Sequence, residues 1–401
     1  MTLDSRNIPT TVVDFRAEGF AADPYPALEA VRRLGPVVYD EGLDQFLITG
    51  WRDIARIYGN VDRFASDYDH FVGLFGGATM ECMEKERHDP VRSIWAEAFR
   101  RQDLEKQRDM ITEVITSRLE PFVEKVRSGA TVDAVAEMTR GIPTLVIAHM
   151  LGIPPADYEQ FGAWSDAMAA VPEGEADRSP RGAELVRRGA EATAALNRYV
   201  ADVLEERRRR PGSDLISMMA VAPFAKEMEE SEITASNTQL VFAGNETTAK
   251  LMANTLNALA AHPDQRRELA ADRSLIPAAV EEIHRWNSIV HAGRRIVRNG
   301  GASVAGIELH DGETVMCLQG VANRDPDRWD RPGQLDIHRP PKQHLGFGFG
   351  MHSCLGLNLA RLEVHIWLDL LLDKLPEWGI ESVDWGSNWV LRGPIRLDVS
   401  K

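Results

Sequence analysis

At 401 residues, 44% hydrophobic and 27% charged, the chain has the composition of a folded globular protein with enough length to bury a cofactor completely. A formal charge of −15 argues against a nucleic-acid partner, since neutralising phosphates takes a concentrated excess of Lys and Arg. The polar stretch from Met1 to Phe20 reads neither as a secretory leader nor as a spanning helix, and three scattered cysteines, Cys82, Cys317 and Cys354, do not make a disulfide framework. A cytoplasmic protein with no membrane partner is therefore expected.

In chain order, Val37–Val38–Tyr39 and Phe46–Leu47–Ile48 flank a turn and predict a hairpin. Helical patterning follows from about Trp51 to Trp286, broken at Ile153–Pro154–Pro155 and Val171–Pro172–Glu173–Gly174. A long helix is predicted from Ser231 to Ala261, stopped by Pro263. Roughly thirty residues at about 1.5 Å each span on the order of 45 Å, the width of the molecule. Its middle, Ala243–Gly244–Asn245–Glu246–Thr247–Thr248, gathers poor helix formers, which points to a site there. Pro277 fits the first turn of a helix that carries Glu282 and Arg285 on one face, although such a pair alone suits a solvated surface equally well. Thr314–Val315–Met316 and Ile395–Arg396–Leu397 predict further short strands, and Cys317 reads as a small buried residue. The expected fold is mainly α, a large helical body with a small, mostly antiparallel β lobe, the chain forming a single domain over residues 1–401.

The strongest chemical signal is Phe347–Gly348–Phe349–Gly350–Met351–His352–Ser353–Cys354–Leu355–Gly356, followed by a helical run from Leu357 through Leu372. Glycines at 346, 348, 350 and 356 free the backbone for tight turns and for close approach to a flat ligand. A cysteine where a loop becomes a helix meets the helix amides and dipole, which favour a metal-binding thiolate. The plain alternative is a glycine-rich turn with a buried cysteine; zinc is disfavoured because no second Cys/His pair is suitably spaced.

This loop resembles the cysteine-ligand loop of the cytochromes P450, in which Phe, two glycines, a basic residue two before the cysteine and a glycine two after it recur. The resemblance extends from Asp23–Pro24–Tyr25–Pro26 to Asn388–Trp389–Val390. It implies the cytochrome P450 fold, haem b (iron protoporphyrin IX) as cofactor, Cys354 as the iron ligand, and Phe347, Gly348, Gly356 and Ala243 against the haem. Glu282-x-x-Arg285 then resembles the family's bracing ion pair, with Arg324 of Ala322–Asn323–Arg324–Asp325–Pro326 as the expected further partner. Ala243–Gly244–Asn245–Glu246–Thr247 resembles the oxygen-activation segment: cleaving dioxygen consumes two protons, so Thr247 is expected to hold a water or oxygen by hydrogen bonds, Glu246 to relay protons and Gly244 to leave room. A mid-helix threonine bonding its own i−4 carbonyl is the alternative for Thr247. His88-x-x-x-Arg92, Arg295 and His352 are the expected propionate partners, with Arg294 as the alternative to Arg295, because the segment from Arg295 to Gly306 is slightly longer than the family's usual pattern.

By the same resemblance the chain is a monooxygenase that uses dioxygen to hydroxylate or oxidatively dealkylate a small apolar organic substrate, with electrons from NAD(P)H through a separate reductase and ferredoxin-type donor. A peroxide-driven haem oxygenase and a non-enzymatic haem-binding sensor are the competing readings; the acid–alcohol pair has no use in either. Substrate contacts are expected in Tyr68–Met80, Trp164–Val171, near Gln239 and Leu240, in Ile289–Ala292 and in Trp389–Leu391. There Phe71, Phe75, Trp164, Met168, Ile289, Val290 and Trp389 suggest an apolar pocket, and His291 one polar contact or a structural role.

Overall fold

The computed structural model describes residues 8–177 and 179–401. The chain divides into two compact units, each assembled from segments distant in sequence. One comprises the described residues up to Asp67 with Glu281–Cys354 and Ser387–Arg392; the other comprises Tyr68–Val280, Leu355–Gly386 and Gly393–Lys401.

The first unit is organised by a six-stranded sheet in the order Thr10–Thr11, Val37–Asp40, Gln45–Ile48, Thr314–Cys317, Gly293–Val297, Phe64–Ala65. The expected hairpin is present, with Val37 opposite Ile48 and Asp40 opposite Gln45. Gln45–Ile48 pairs parallel with Thr314–Cys317 and Thr10–Thr11 pairs parallel with Val37–Asp40, while the other three couplings are antiparallel. Val37, Phe46, Ile48, Ile54, Ile57, Tyr58, Val315 and Cys317 are buried together on this sheet. Cys317 thus fills core volume, and burial pushes its thiol up to about 12.

The second unit is helical. Its longest buried element is Glu230–Ala261, 32 residues, opened by a capping box in which Glu229 and Glu232 exchange side-chain and backbone bonds. Pro263 begins the next helix, Pro263–Ala271, because a proline tolerates the first turn but not the continuation of the previous helix. Helices Gly141–Met150, Tyr158–Ala169, Pro180–Arg209 and Leu357–Lys374 pack against the central one. Enclosure on all sides explains why its sequence lacks a single apolar stripe and why even Asn237, Thr238 and Asn254 are buried. A three-stranded antiparallel sheet of Gly379–Asp384, Arg396–Ser400 and Val132–Asp133 completes the unit. Among the described residues no helix is long and apolar enough to cross a membrane.

Candidate active site

The cysteine loop is built by backbone bonds that close on themselves. Gly348 N donates to Leu345 O at 2.9 Å, Ser353 N to Gly350 O at 3.1 Å, and Cys354 N to Phe347 O at 2.8 Å. Gly348 and Gly350 adopt φ of 69° and 70°, values that L side chains rarely take. At Gly350 a Cβ would also stand 2.6 Å from Tyr58 O. Cys354 follows the short turn Gly350–His352 and precedes the helix Leu357–Lys374, as the loop-to-helix reading required.

What holds this loop is a buried polar network. Arg285 donates from Nε and Nη2 to the two oxygens of Glu282 at 2.7 and 2.8 Å, and from Nη1 to Asn323 O at 2.8 Å and Pro332 O at 2.9 Å. Both side chains of the pair are below 5% exposure, which decides against the solvated surface pair. Asn323 joins the network to the loop: its Nδ2 donates to Ser288 Oγ at 2.8 Å and its Oδ1 accepts from Leu345 N at 2.7 Å. The further partner of Glu282 is Arg339, whose Nε lies 3.0 Å from Oε1, and not Arg324. Arg324 instead bonds Trp286 O, 2.8 Å from Nε and 2.6 Å from Nη2, with its guanidinium 3.3 Å from the Tyr25 ring centre, so it caps a helix end. Neither Asn323 nor Arg339 was singled out from the sequence; a buried amide substituting for backbone has no period to reveal it.

Along the strand Gly293–Val297 the side chains alternate, and this separates the two neighbouring arginines. Arg294 reaches outward to Asp67 at 2.8 Å. Arg295 lies over the Tyr58 ring at 4.7 Å, and the Tyr58 backbone lies against Gly350 of the cysteine loop. Arg295 and His352 therefore share a unit with Cys354, whereas His88, Arg92, Ala243, Gly244, Glu246 and Thr247 lie in the other. His88 and Arg92 sit on the helix Lys85–Ala96; His88 is buried with Nδ1 2.7 Å from Asp89 Oδ1.

The central helix changes character at the predicted segment. Residues 233–241 are buried throughout, yet Ala243 is exposed and Gly244, Glu246 and Thr247 are partly exposed. Thr247 Oγ1 donates to Ala243 O at 3.0 Å, the i−4 bond open to any helical threonine. A Cβ on Gly244 would meet Ile147 at 3.4–3.7 Å, ordinary contact, so the protein's own packing does not demand glycine there. Asn245 is buried and bridges two neighbouring helices, with Oδ1 2.6 Å from Thr144 Oγ1 and Nδ2 donating to Ser165 Oγ.

Several of the residues expected to contact substrate make packing contacts within their own unit. Trp389 stacks on Phe15 at 4.5 Å and meets Phe20 edge-on at 5.6 Å. His291, fully buried, lies against Tyr25 with ring centres 5.3 Å apart and is backed by Gly320, a packing environment that suits the structural reading. Burial and the positive charges of Arg392 and Arg324 push its pKa well down. Met168 and Phe75 are buried, whereas Phe71, Trp164 and Val290 keep partial exposure.

The residues present fit a haem. In one unit, partly exposed Phe347 and Phe349 near Cys354 would offer an apolar surface for a flat macrocycle and a soft thiol for its iron; in the other, the opened stretch at Ala243 offers a small-residue face on the central helix. A glycine loop presenting one cysteine and braced by a buried Glu-x-x-Arg network in one unit, and a long helix opened at Ala243–Thr247 in the other, are the features expected of a haem-thiolate protein. The Cytochrome P450 family model matches residues 44–376. Mycinamicin IV hydroxylase/epoxidase of Micromonospora griseorubida is 33% identical over 391 residues, 94% of this chain and 95% of that one. The cytochrome P450 monooxygenase PikC of Streptomyces venezuelae is 30% identical over 406 residues, covering 96% and 94%. Among solved structures, the versatile cytochrome P450 enzyme CYP109B1 of Bacillus subtilis superposes with a TM-score of 0.84 at 29% identity, covering 95% of this chain and all of that one. The chain belongs to the cytochrome P450 family, is a monooxygenase and takes a haem cofactor.

Proposed function

We propose that this monooxygenase holds haem b through Cys354 and inserts one oxygen atom into a mainly apolar small organic substrate, drawing electrons from NAD(P)H through a separate reductase and a ferredoxin-type donor in the cytoplasm. The balance is substrate C–H, dioxygen, two electrons and two protons in; hydroxylated product and one water out. When bound, a thiolate-ligated haem supplies the activation of dioxygen. Cys354 is held for ligation by its own amide on Phe347 O and by the Asn323 link to the Glu282–Arg285 pair. Arg295, His352, His88 and Arg92 would neutralise the propionates, Arg294 being occupied by Asp67.

The observation that carries the reading is the coincidence, on one otherwise buried helix, of an exposed Ala243 with Glu246 and Thr247 one turn away. Glu246 can hold and release a proton, and the Thr247 hydroxyl, only 3.0 Å from a carbonyl of its own turn, can turn outward to hold water or oxygen. Partial exposure of Phe71, Trp164 and Val290 favours an apolar substrate. Support for a bulky one comes from related proteins: a vitamin D3 dihydroxylase of Streptomyces griseolus, 31% identical over 295 residues, and a Bacillus megaterium enzyme solved with corticosterone, TM-score 0.84 at 28% identity, covering 95% of this chain and 99% of that one.

The test is a binding screen of steroids, macrolides, terpenoids and fatty acids followed by haem absorption, then turnover with NADH, reductase and ferredoxin. Product that depends on the electron donor supports the reading. Turnover with peroxide alone would favour a peroxide-driven enzyme, and binding with no turnover under either condition a sensor.

A further inference from the structure

Lys250 stands one helical turn beyond Glu246, and its Nζ lies 2.5 Å from Glu246 Oε1 with side-chain exposures of only 8% and 12%. Glutamate preceding lysine at i, i+4 is the favourable order along a helix, and a lysine this buried needs its partner. The stem of Lys250 is also fixed. Gly393 is buried against it, and a Cβ at 393 would stand 2.6 Å from both Lys250 Cβ and Cγ and 3.0 Å from Cδ. The nearest of those atoms include Cβ, whose place is set by the helix backbone and which cannot swing aside without moving the helix.

The ammonium is therefore delivered to one oxygen of Glu246. The other, Oε2, is buried and has no hydrogen-bond partner among the described residues. A neighbouring helix brings further charged groups near the carboxylate. Asn245, the preceding residue, ties the helix to Ser165, and the next residue there, Asp166, lies 3.7 Å from Arg140. The Asp166 carboxyl is raised by burial first, lowered by Arg140 and raised again by the charge of Glu246, which places the two acids within electrostatic reach.

We propose that Lys250 is a positioning residue for the monooxygenase reaction: seated on Gly393, it fixes one oxygen of Glu246 and leaves Oε2 as the atom that takes up and passes on protons. This rests on the reading of Glu246 as the proton-handling acid. Glu246 is the group that moves the proton; Lys250 acts through it.

The test uses the full haem-loaded chain as Lys250→Met, Gly393→Ala, Glu246→Gln and the double variant Lys250→Met/Glu246→Gln. Two readouts are taken: melting temperature, and product formed per NADH consumed with the compound giving the largest spectral change in the screen above. Lys250→Met is expected to lower the melting temperature, with the double variant recovering part of the loss, because the single change strands a buried carboxylate. Coupling should fall on the order of ten- to hundredfold in Lys250→Met, with substrate affinity unchanged. The double variant should be no worse than Glu246→Gln alone, and Gly393→Ala should uncouple in the same direction without altering any charge. If Glu246→Gln uncouples and Lys250→Met does not, or if their losses in coupling multiply, the assignment of Lys250 is wrong. If Glu246→Gln itself couples normally, the relay reading falls, and the inference with it.

Discussion

Arg339 and Arg285 meet at a single carboxylate oxygen: Arg339 Nε lies 3.0 Å, and Arg285 Nη2 2.8 Å, from Glu282 Oε1. The excess positive charge is absorbed by main-chain carbonyls, with Arg339 reaching Asp330 O and Gln334 O. Removing one member of a buried ion pair leaves the other uncompensated, at about 3–5 kcal/mol. Arg285→Ala is expected to lose folded, haem-containing protein on that scale, and Arg339→Ala to lose it in the same direction but less, because Arg285 still neutralises Glu282. Yield, haem content and melting temperature measure both; normal values for Arg285→Ala would contradict the bracing role.

The two adjacent arginines should separate cleanly. Arg295→Ala is expected to weaken haem retention roughly tenfold or more, the scale of a charged hydrogen bond. Arg294→Ala should leave retention unchanged, since the contact it breaks is the part-exposed pair with Asp67. The rate of haem loss to an excess of a haem scavenger reads both, and faster loss in Arg294→Ala would reverse the assignment.

Thr247→Ala should fold and bind haem normally. Among the described residues its hydroxyl bonds the carbonyl of Ala243, and an alanine is the better helix former. Product per NADH should fall and released peroxide should rise, because proton delivery loses its hydrogen-bonding group. Unchanged coupling would leave the threonine with the i−4 backbone bond alone.

Glu363, on the helix Leu357–Lys374, gives a pH signature. It is buried, its Oε2 has no hydrogen-bond partner among the described residues, and burial pushes its carboxyl well above the ordinary carboxylate range. With the folded value raised, the native state binds a proton that the unfolded state has released. The associated stability is complete below the ordinary carboxylate range and is lost as pH rises toward the folded value, by at most about 1.4 kcal/mol per pH unit. Glu363→Gln should therefore flatten the decline of melting temperature between pH 5 and 8 and match or exceed the wild type at the upper end. A parallel decline in both proteins would show that Glu363 is already ionised.

Much of the fold was legible because its signals are local. Pro263 ends the central helix where the sequence said it would, and the hairpin of Val37–Tyr39 and Phe46–Ile48 is present as expected. The cysteine loop was equally legible, since two of its glycines, Gly348 and Gly350, carry positive φ values that few other residues tolerate. Long-range partners were not. Nothing near Glu282 in sequence distinguishes Arg339 from Arg324, and only the folded chain shows one on the carboxylate and the other capping Trp286 O. Trp389 and His291 show why sequence alone leaves such positions open: apolar or amphipathic side chains in variable segments look alike whether they face a ligand or pack, as these do on Phe15 and Tyr25, within their own unit.

The central claim is that Cys354 presents a thiolate to haem iron. The most direct measurement is the absorption of the reduced, carbon-monoxide-bound protein, in wild type and Cys354→Ala. A red-shifted Soret band in the wild type, absent from the variant, is the predicted result; a wild-type band at the position of histidine-ligated haem would contradict it.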